Sequence, residues 1–223
     1  MNDGATCPPP GRVFASDEIL RDGGAVRLRA AQSDDAGRIQ SHFRRLSKRS
    51  IYLRYFNQRR ELPATEIERM THVDHVGRET LLAVERREAV EDVIGIGLYE
   101  RVDGRPRRAE VAFSVLDEHH GRGIGTVLLE QLARIARRHG IEEFQATVLG
   151  ENRKMLEVFA CSGFEVDHAI EDGVFRVRFP TRETLASFEA AFERRVEATT
   201  ASVGRGLPAP SDPSRGSSSG SEE

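Results

Sequence analysis

The sequence predicts an α/β fold built on a mixed sheet, and three observations lead to this prediction. Runs that alternate every second residue, typical of strands, are interleaved with runs of about 3.6-residue period, typical of amphipathic helices. This interleaving extends from about residue 25 to about residue 180. At 223 residues, the chain is long enough for one domain with a sizeable core. Such an order of segments favours helices packed on the faces of one sheet.

Composition and charge exclude several classes of protein. The formal net charge of −3 gives no indication of a nucleic-acid partner or of an anionic membrane surface. No apolar run approaches the length of about 18 residues that a membrane span needs. The first residues also lack the apolar core of a signal peptide. We therefore expect a soluble protein in the cytoplasm.

The cysteines and histidines do not form a recognisable metal site. Cys7 and Cys161 are far apart and have no metal-ligand spacing, which is compatible with a reducing compartment. His72 and His75 form a His-x-x-His pair, but no third ligand follows at a familiar distance. We therefore expect no metal, and we expect the histidine pair to lie in a loop beside the substrate cleft.

The first part of the chain is predicted to contain a strand and then helices. Residues 1–23 are rich in Gly, Pro and Asp and are expected to be a disordered tail. Ala25–Arg29 alternates as a strand, and Ser33–Asp35 is expected to cap the helix that follows. Ser47–Phe56 is a second amphipathic piece, either helical or irregular, and Pro63 is expected to begin another helix.

Three strands are predicted in the middle of the chain. Thr80–Glu85 and Val93–Tyr99 have the apolar character of strands, and the second is continuous enough to be central. Asp103-Gly104 predicts a hairpin turn, after which Arg107–Leu116 is the third strand.

The stretch Gly121-Arg-Gly-Ile-Gly-Thr126 joins this third strand to a helix that runs to about His139. A helix N-terminus leaves four N–H groups unpaired and carries a partial positive charge, and glycines allow an anion to approach closely. The turn is therefore predicted to bind a phosphate or pyrophosphate group. It lacks the lysine of a P-loop, and neither of its glycine registers fits the dinucleotide fingerprint.

The second half continues the α/β pattern. Gly140 is expected to end the helix, and Phe144–Leu149 is the next strand. Glu151–Cys161 is predicted to be a helix, followed by a hairpin of Glu165–His168 and Val174–Phe179. A last helix is predicted over residues 181–202, before a disordered tail over residues 203–223. The inward-facing residues of this last helix are expected to be Leu185, Phe188, Ala191, Phe192 and Val196.

Two motifs resemble those of a known superfamily. His120-Gly-Arg-Gly-Ile-Gly125 resembles the Gln/Arg-x-x-Gly-x-Gly/Ala signature of the GNAT superfamily of acetyltransferases. Asn152-x-x-Met-Leu-x-x-Phe-x-x-x-Gly163-Phe164 resembles the helix that follows the fifth strand in that superfamily. The distance between the motifs and the strand order also agree, so residues 24–180 are identified as a GNAT domain. Leu46–Phe56 and Ala109–Phe113 are similar to the acetyltransferase domain of Pat-type bacterial protein lysine acetyltransferases.

The resemblance implies a fold and a reaction. The GNAT fold has a mixed, mostly antiparallel sheet, here of about six to seven strands, with flanking helices. The implied activity is transfer of acetyl from acetyl-CoA, the co-substrate, to a primary amine, with a protein lysine as the first expectation. A small amine is an alternative acceptor, and a catalytically silent acyl-CoA-binding sensor is an alternative function. Neither a metal nor a nucleic acid or membrane partner is implied.

The resemblance also assigns cofactor-binding residues. Part of strand Arg107–Leu116 would run beside pantetheine, the glycine turn would hold the pyrophosphate, and the Arg122 side chain could add positive charge. Asn152 would approach the cofactor, although it could equally be only the N-cap of its helix. The assigned residues are Phe113, Ser114, Val115, Gly121, Arg122, Gly123, Ile124, Gly125, Thr126 and Asn152.

Glu110 is the candidate general base. Pat-type enzymes place a catalytic glutamate at the matching position, and a carboxylate in mid-strand is costly to bury without a purpose. The alternative is a surface glutamate paired with Arg107 or Arg108. Phe159 stands where many superfamily members have a tyrosine that protonates the leaving thiolate, so no general acid is assigned. Cys161 is expected to pack in the core.

The acceptor is expected to enter a cleft walled by Ser47–Glu61, His72–Arg78 and the hairpin around Glu171–Gly173. Acidic residues in these walls could attract a basic acceptor segment. They are Glu61, Asp74, Glu171 and Asp172.

Overall fold

The computed structural model describes residues 14–87, 90–184, 186–187, 189–193 and 196–197. Within them, eight strands form one sheet: β1 (Ala15–Ile19), β2 (Ala25–Ala30), β3 (Arg78–Arg87), β4 (Val90–Val102), β5 (Arg105–Val115), β6 (Glu143–Leu149), β7 (Asp167–Glu171) and β8 (Val174–Pro180). Their order is β1-β2-β3-β4-β5-β6-β8-β7. Of the strand pairs among the described residues, only β5–β6 is parallel, so the predicted fold class is confirmed, with one strand more than the six to seven expected.

The additional strand is β1, which lies in the segment expected to be disordered. It pairs antiparallel with β2, and Phe14 and Leu20 are buried at its two ends. The expectation of disorder is therefore wrong for residues 14–23, while residues 1–13 lie outside the described part of the chain. Polar residues dominate this strand because its side chains are exposed or half-buried, so backbone pairing and two apolar anchors hold it in place.

Five helices flank the sheet in the described part of the chain. They are α1 (Ala36–Arg45), α2 (Lys48–Tyr55), α3 (Ala64–Thr71), α4 (Ile124–Arg138) and α5 (Arg153–Ala160). Short 3₁₀ turns over Ser33–Asp35 and Asp117–His119 precede α1 and the glycine turn. The ambiguous Ser47–Phe56 piece is helical because the Ser47 side chain caps α2 by accepting a hydrogen bond from the Ser50 N–H. None of the described helices is both long and apolar enough to span a membrane.

Helices α1 and α4 pack on opposite faces of the sheet. On β5, Phe113 faces α4, whereas the next residue, Ser114, is hydrogen-bonded to His42 of α1. Successive side chains of a strand point to opposite faces, so the two helices enclose the sheet between them. Gly95 and Gly97 on β4 let α4 approach closely, because a Cβ at either position would meet Ile124 or Leu132 within 3.1 Å.

The C-terminal segment differs from its predicted packing. The described residues among 186–197 have helical backbone, but the side chains of Phe192 and Val196 are 60% and 49% exposed. Their expected inward orientation is therefore wrong, whereas Ala191 is half-buried. Leu185, Phe188 and residues 203–223 lie outside the described residues.

Candidate active site

The parallel strands β5 and β6 separate after a short paired stretch. Their paired residues end at Glu110 and Gln145, although β5 continues to Val115 and β6 to Leu149. Beyond that point, the edge of β5 that faces β6 has backbone groups that pair with no strand of the described residues. An extended ligand with amide groups, such as pantetheine, could bond to this edge as a further strand would.

A cavity of about 680 Å³ opens at this gap. It is bounded by the end of β5, the glycine turn, α2 and α5. Every predicted cofactor-binding residue except Arg122 lines it: Phe113, Ser114, Val115, Gly121, Gly123, Ile124, Gly125, Thr126 and Asn152. The structure therefore brings these residues together around one cleft, and their role in binding stays a prediction.

The glycine turn presents a helix N-terminus to this cavity. Gly121 and Gly123 have φ values of 79° and 88°, a left-handed conformation that favours glycine. Gly123 is the N-cap of α4 and has no side chain to satisfy the first N–H groups. The N–H groups of Ile124, Gly125 and Thr126 are consequently available to an anion.

Arg122 is the one predicted cofactor-binding residue that does not line this cavity, and its role in adding positive charge stays a prediction. Its guanidinium donates hydrogen bonds to Asp22 at 2.7 Å and to Glu85 at 2.5 Å, and it is not among the residues that line the cavity. Backbone bonding adds to this contact, because the Arg21 N–H donates to the Arg122 carbonyl at 3.2 Å. The side chain thus fastens the glycine turn to the β1–β2 turn and to β3.

The cavity is also lined by basic residues that were not predicted from the sequence. They are Arg21, Arg49, Arg54, Arg153 and Lys154, which come from the β1–β2 turn, α2 and α5. Lys154 Nζ lies 2.7 Å from His120 Nδ1, and His120 Nε2 lies 2.9 Å from the Val115 carbonyl oxygen. No local pattern could have identified these residues, because segments distant in sequence bring them together.

Glu110 lines a second cavity, of about 250 Å³, beyond the end of the strand pairing. Its carboxylate is exposed, so the burial expected of a carboxylate in mid-strand is wrong for this residue. The alternative pairing is also absent: Arg107 forms an ion pair with Glu142, and Arg108 with Glu143. Glu110 is therefore an accessible carboxylate that neither neighbouring arginine neutralises.

The two cavities share one wall. Both are lined by Leu53, Arg54, Phe113, Asn152 and Met155. A group held in the larger cavity near Phe113 would therefore adjoin the cavity that contains Glu110. This arrangement allows a donor and an acceptor to approach one another from two directions.

Asn152 caps the start of α5, and Phe159 and Cys161 lie near the end of this helix. The Asn152 side chain accepts a hydrogen bond from the Met155 N–H at 3.3 Å, so it is the N-cap, and it also lines both cavities. Phe159 is buried against Phe179. Cys161 is exposed at the end of α5 and lines the larger cavity, so its expected place in the core was wrong.

His42 joins α1 to both β4 and β5. Its Nδ1 lies 3.0 Å from the Val93 carbonyl oxygen, and its Nε2 lies 3.0 Å from Ser114 Oγ. A carbonyl oxygen can only accept, so Nδ1 carries the hydrogen and Nε2 accepts from the Ser114 hydroxyl. Burial lowers the pKa of His42 to about 4, because the charged imidazolium would be desolvated.

The free energy of unfolding should therefore fall between pH 6.5 and pH 4, because in this range His42 is protonated in the unfolded chain but neutral in the fold. The pKa is 6.5 in the unfolded chain and about 4 in the fold, so the contribution of His42 is complete above pH 6.5 and is lost towards pH 4. We expect a loss of about 2–3 kcal/mol at pH 4.5 relative to pH 7. Urea unfolding of wild type and His42→Asn at both pH values tests this. The variant should lose less stability on acidification, and His168→Asn, at an exposed position, should behave as wild type. Equal pH dependence in all three proteins would contradict the expectation.

A third cavity, of about 370 Å³, continues from the Glu110 cavity. It shares Arg54 and Tyr55 with that cavity, and its acidic residues are paired: Glu100 with Arg69 and Arg78, and Glu66 with Arg59. Arg54 lines all three cavities and forms no ion pair with a described residue; it lies over the Tyr55 ring, 4.9 Å from its centre. Arg54 is therefore the one arginine lining these two cavities whose charge is paired with no carboxylate of the described residues.

The expected acceptor walls are present only in part. Residues 53–56 and Arg78 line these cavities, but the hairpin at Glu171–Gly173 does not. The acidic residues expected to attract a basic acceptor also lie outside them. Three are already engaged: Glu61 with Arg44, Glu171 with Arg176, and Asp74 with the N–H groups of residues 76–78.

Comparison with known proteins agrees with this geometry. The sequence profile of the Acetyltransferase (GNAT) family matches residues 47–164, more than half of the chain and all of the motifs described above. The chain belongs to the GNAT family. It is accordingly an acetyltransferase with the fold of that family.

Individual relatives give further detail. The GNAT domain of S. lividans PAT is 39% identical, with a TM-score of 0.68, over 74% of this chain and 96% of that domain. The Acetyltransferase Pat of Mycolicibacterium smegmatis is 30% identical over 139 residues, 62% of this chain. The chain spans only 41% of the length of that protein. The yncA structure from Salmonella typhimurium, solved with acetyl-CoA, shares the fold at 20% identity, with a TM-score of 0.57, over 74% of this chain and 98% of that one.

Proposed function

We propose that this acetyltransferase transfers the acetyl group of acetyl-CoA to the ε-amine of a protein lysine. The observation that carries the proposal is the accessible carboxylate of Glu110 in a cavity that shares a wall with the larger cleft. Acetyl-CoA is the donor, and the larger cleft would hold it. The 39% identity to the GNAT domain of S. lividans PAT supports the choice of acceptor, together with the resemblance to Pat-type enzymes.

The residues have distinct roles in the proposed reaction. The N–H groups of Ile124, Gly125 and Thr126 bind the pyrophosphate, and the free edge of β5 bonds to pantetheine. A backbone N–H near Val115 polarises the thioester carbonyl. Glu110 takes a proton from the acceptor amine, directly or through water, because an ammonium group cannot attack. The amine nitrogen bonds to the carbonyl carbon, the C–S bond breaks, and CoA leaves as the thiolate, which solvent protonates.

Arg54 indicates which acceptors fit. Its charge has no ion-pair partner among the described residues, and it adjoins the Glu110 cavity. An acceptor with an anionic group near its amine would therefore bind better than one flanked by positive charge. For a protein, this means a lysine with acidic neighbours, in place of the basic segment expected from the sequence. The same observation favours an amino acid, with its carboxylate, as the alternative small acceptor.

The acceptor preference can be tested with matched peptides. The enzyme should acetylate a peptide with Asp beside its single lysine at lower KM than one with Arg there. Replacing Arg54 by Gln should remove most of this difference. The ratio of the two KM values should fall by about 5-fold if about 1 kcal/mol of charge interaction is lost. Arg60→Gln is the matched control, since Arg60 is exposed and lines none of the three cavities. A preference for Asp that survives in Arg54→Gln would reject this role.

A panel of proteins and small amines separates the remaining functions. Rapid acetylation of small amines and of no tested protein would favour the small-amine alternative. Tight acetyl-CoA binding without turnover on any amine would favour the sensor, for which the phenylalanine at position 159 is the supporting feature. The cytoplasmic location stays a prediction, to be tested by cell fractionation.

A further inference from the structure

The chain is unusual in its basic residues. Of 33 lysines and arginines, only Lys48 and Lys154 are lysines. Both side chains are exposed, but their surroundings differ. Lys154 lines the larger cleft, whereas Lys48, at the start of α2, does not.

The amine of Lys154 faces a proton acceptor. His120 Nε2 is bonded to the Val115 carbonyl oxygen, which can only accept, so this nitrogen carries the imidazole hydrogen. In the neutral ring, Nδ1 then has a free lone pair, and it lies 2.7 Å from Lys154 Nζ. His120 can therefore accept a proton from this amine, which must be deprotonated before it can act as a nucleophile.

The same contacts place the amine close to the strand assigned to the donor. The His120 ring bridges Lys154 and Val115, and Val115 ends the free edge of β5. Lys154 and Val115 both line the cleft proposed for acetyl-CoA. The Lys154 amine would therefore be present at a high effective concentration beside bound acetyl-CoA, and no acceptor protein would be needed for it to react.

We propose that Lys154 is acetylated by the acetyl-CoA bound in its own cleft. The inference rests on the donor in the proposed function, but not on the acceptor. Lys154 Nζ forms an amide bond with the acetyl carbon, the C–S bond breaks, and the electron pair leaves with the CoA sulfur. Of the two protons that the ammonium group loses, one passes to His120 and on to solvent, and the other ends on the CoA thiol. The products are acetyl-lysine at position 154 and free CoA.

Acetylation of Lys154 would lower the affinity of the enzyme for acetyl-CoA. Acetylation removes one positive charge from the lining of the cleft and replaces the ammonium donor to His120 with a neutral amide N–H. Phosphate groups of CoA bind less well where a nearby cation has been neutralised. Enzyme that lacks an acceptor would thereby lower its own affinity for acetyl-CoA.

The pair of lysines makes the test direct. The purified chain is incubated with acetyl-CoA, and modification is followed by intact mass and then by peptide mass spectrometry. We expect one acetyl group per chain, at Lys154, with at least 10-fold slower modification of Lys48. The rate constant should not depend on protein concentration, because the reaction is intramolecular. Equal rates at both lysines, or a rate that rises with protein concentration, would overturn the proposal.

Three variants assign the roles. Lys154→Arg should lose the modification, Lys48→Arg should keep it at the wild-type rate, and His120→Gln should slow it. A wild-type rate in a correctly folded His120→Gln protein would remove His120 from the step. Calorimetry should also show weaker acetyl-CoA binding to Lys154→Gln than to Lys154→Arg.

The same samples, assayed with peptide acceptors, separate this inference from the proposed function. Peptide turnover without modification of Lys154 would reject only the self-acetylation. Modification of Lys154 without turnover of any protein or peptide would leave the inference standing and reject the protein lysine acceptor.

Discussion

Replacing Glu110 by glutamine is expected to lower kcat by about 10²–10⁴-fold, the range typical for loss of a general base. Glutamine has nearly the same shape as glutamate but cannot take a proton at neutral pH. Part of the lost rate should return at high pH, because a free lysine amine, with a pKa of about 10.4, is then increasingly neutral without help. Acetyl-CoA affinity should not change, since Glu110 lines the smaller cavity and not the larger cleft.

Steady-state kinetics from pH 7 to pH 10, with calorimetry of acetyl-CoA binding, measure both expectations. Glu142→Gln is the matched control, because Glu142 is also an exposed glutamate near β6 but is paired with Arg107 and lines neither cavity. Wild-type turnover in Glu110→Gln at pH 7 would remove Glu110 from the mechanism. An equal loss in both variants would point to a general effect of negative charge on this surface.

The strands could be predicted where side-chain pattern determines them. Val93–Tyr99 and Phe144–Leu149 become β4 and β6 because their apolar residues are buried in the core. The β1 strand escaped prediction because its stability comes from pairing with β2, and a local polar composition does not reveal a partner. The outward orientation of Phe192 and Val196 is a similar case, since helical period alone does not determine which face meets the domain.

The candidate site also has a part that the sequence predicts and a part that it does not. Its backbone part could be predicted because glycines with positive φ and a helix start leave a short, continuous motif in the sequence. Its charged part could not, because each side chain can reach more than one partner. Arg122, adjacent to the turn, is held by Asp22 and Glu85, whereas Arg21 and Lys154 reach the cleft from distant segments. The unpaired charge of Arg54 likewise depends on which carboxylates are already engaged by other arginines.

Gly163, near the end of the motif that begins at Asn152, lies outside both cavities and packs against the C-terminal segment. Its φ is 72°, and a Cβ there would lie 2.5 Å from Ser187 Cα and 2.6 Å from the Ala186 carbonyl oxygen. The Thr184 hydroxyl also donates to the Gly163 carbonyl at 2.8 Å. The C-terminal segment is therefore seated directly on this glycine, and backbone atoms at such distances cannot be accommodated by a change of rotamer.

Gly163→Ala should consequently be among the most destabilising single changes in the chain. A left-handed conformation costs a residue with a Cβ about 1–2 kcal/mol, and the overlap with the backbone adds about 1–3 kcal/mol more. Gly140→Ala is the matched control, because its φ of 74° is nearly the same but no atom of the described residues that it could overlap lies within 4 Å of the added Cβ. Urea unfolding should show a larger loss for Gly163→Ala, and limited proteolysis should cut its C-terminal segment sooner. Because Gly163 follows α5, which carries Asn152 and Met155 into both cavities, acetyl-CoA affinity should also fall in Gly163→Ala and stay unchanged in Gly140→Ala. Equal losses of stability in the two variants would show that backbone conformation alone, and not the seating of the C-terminal segment, requires glycine at position 163.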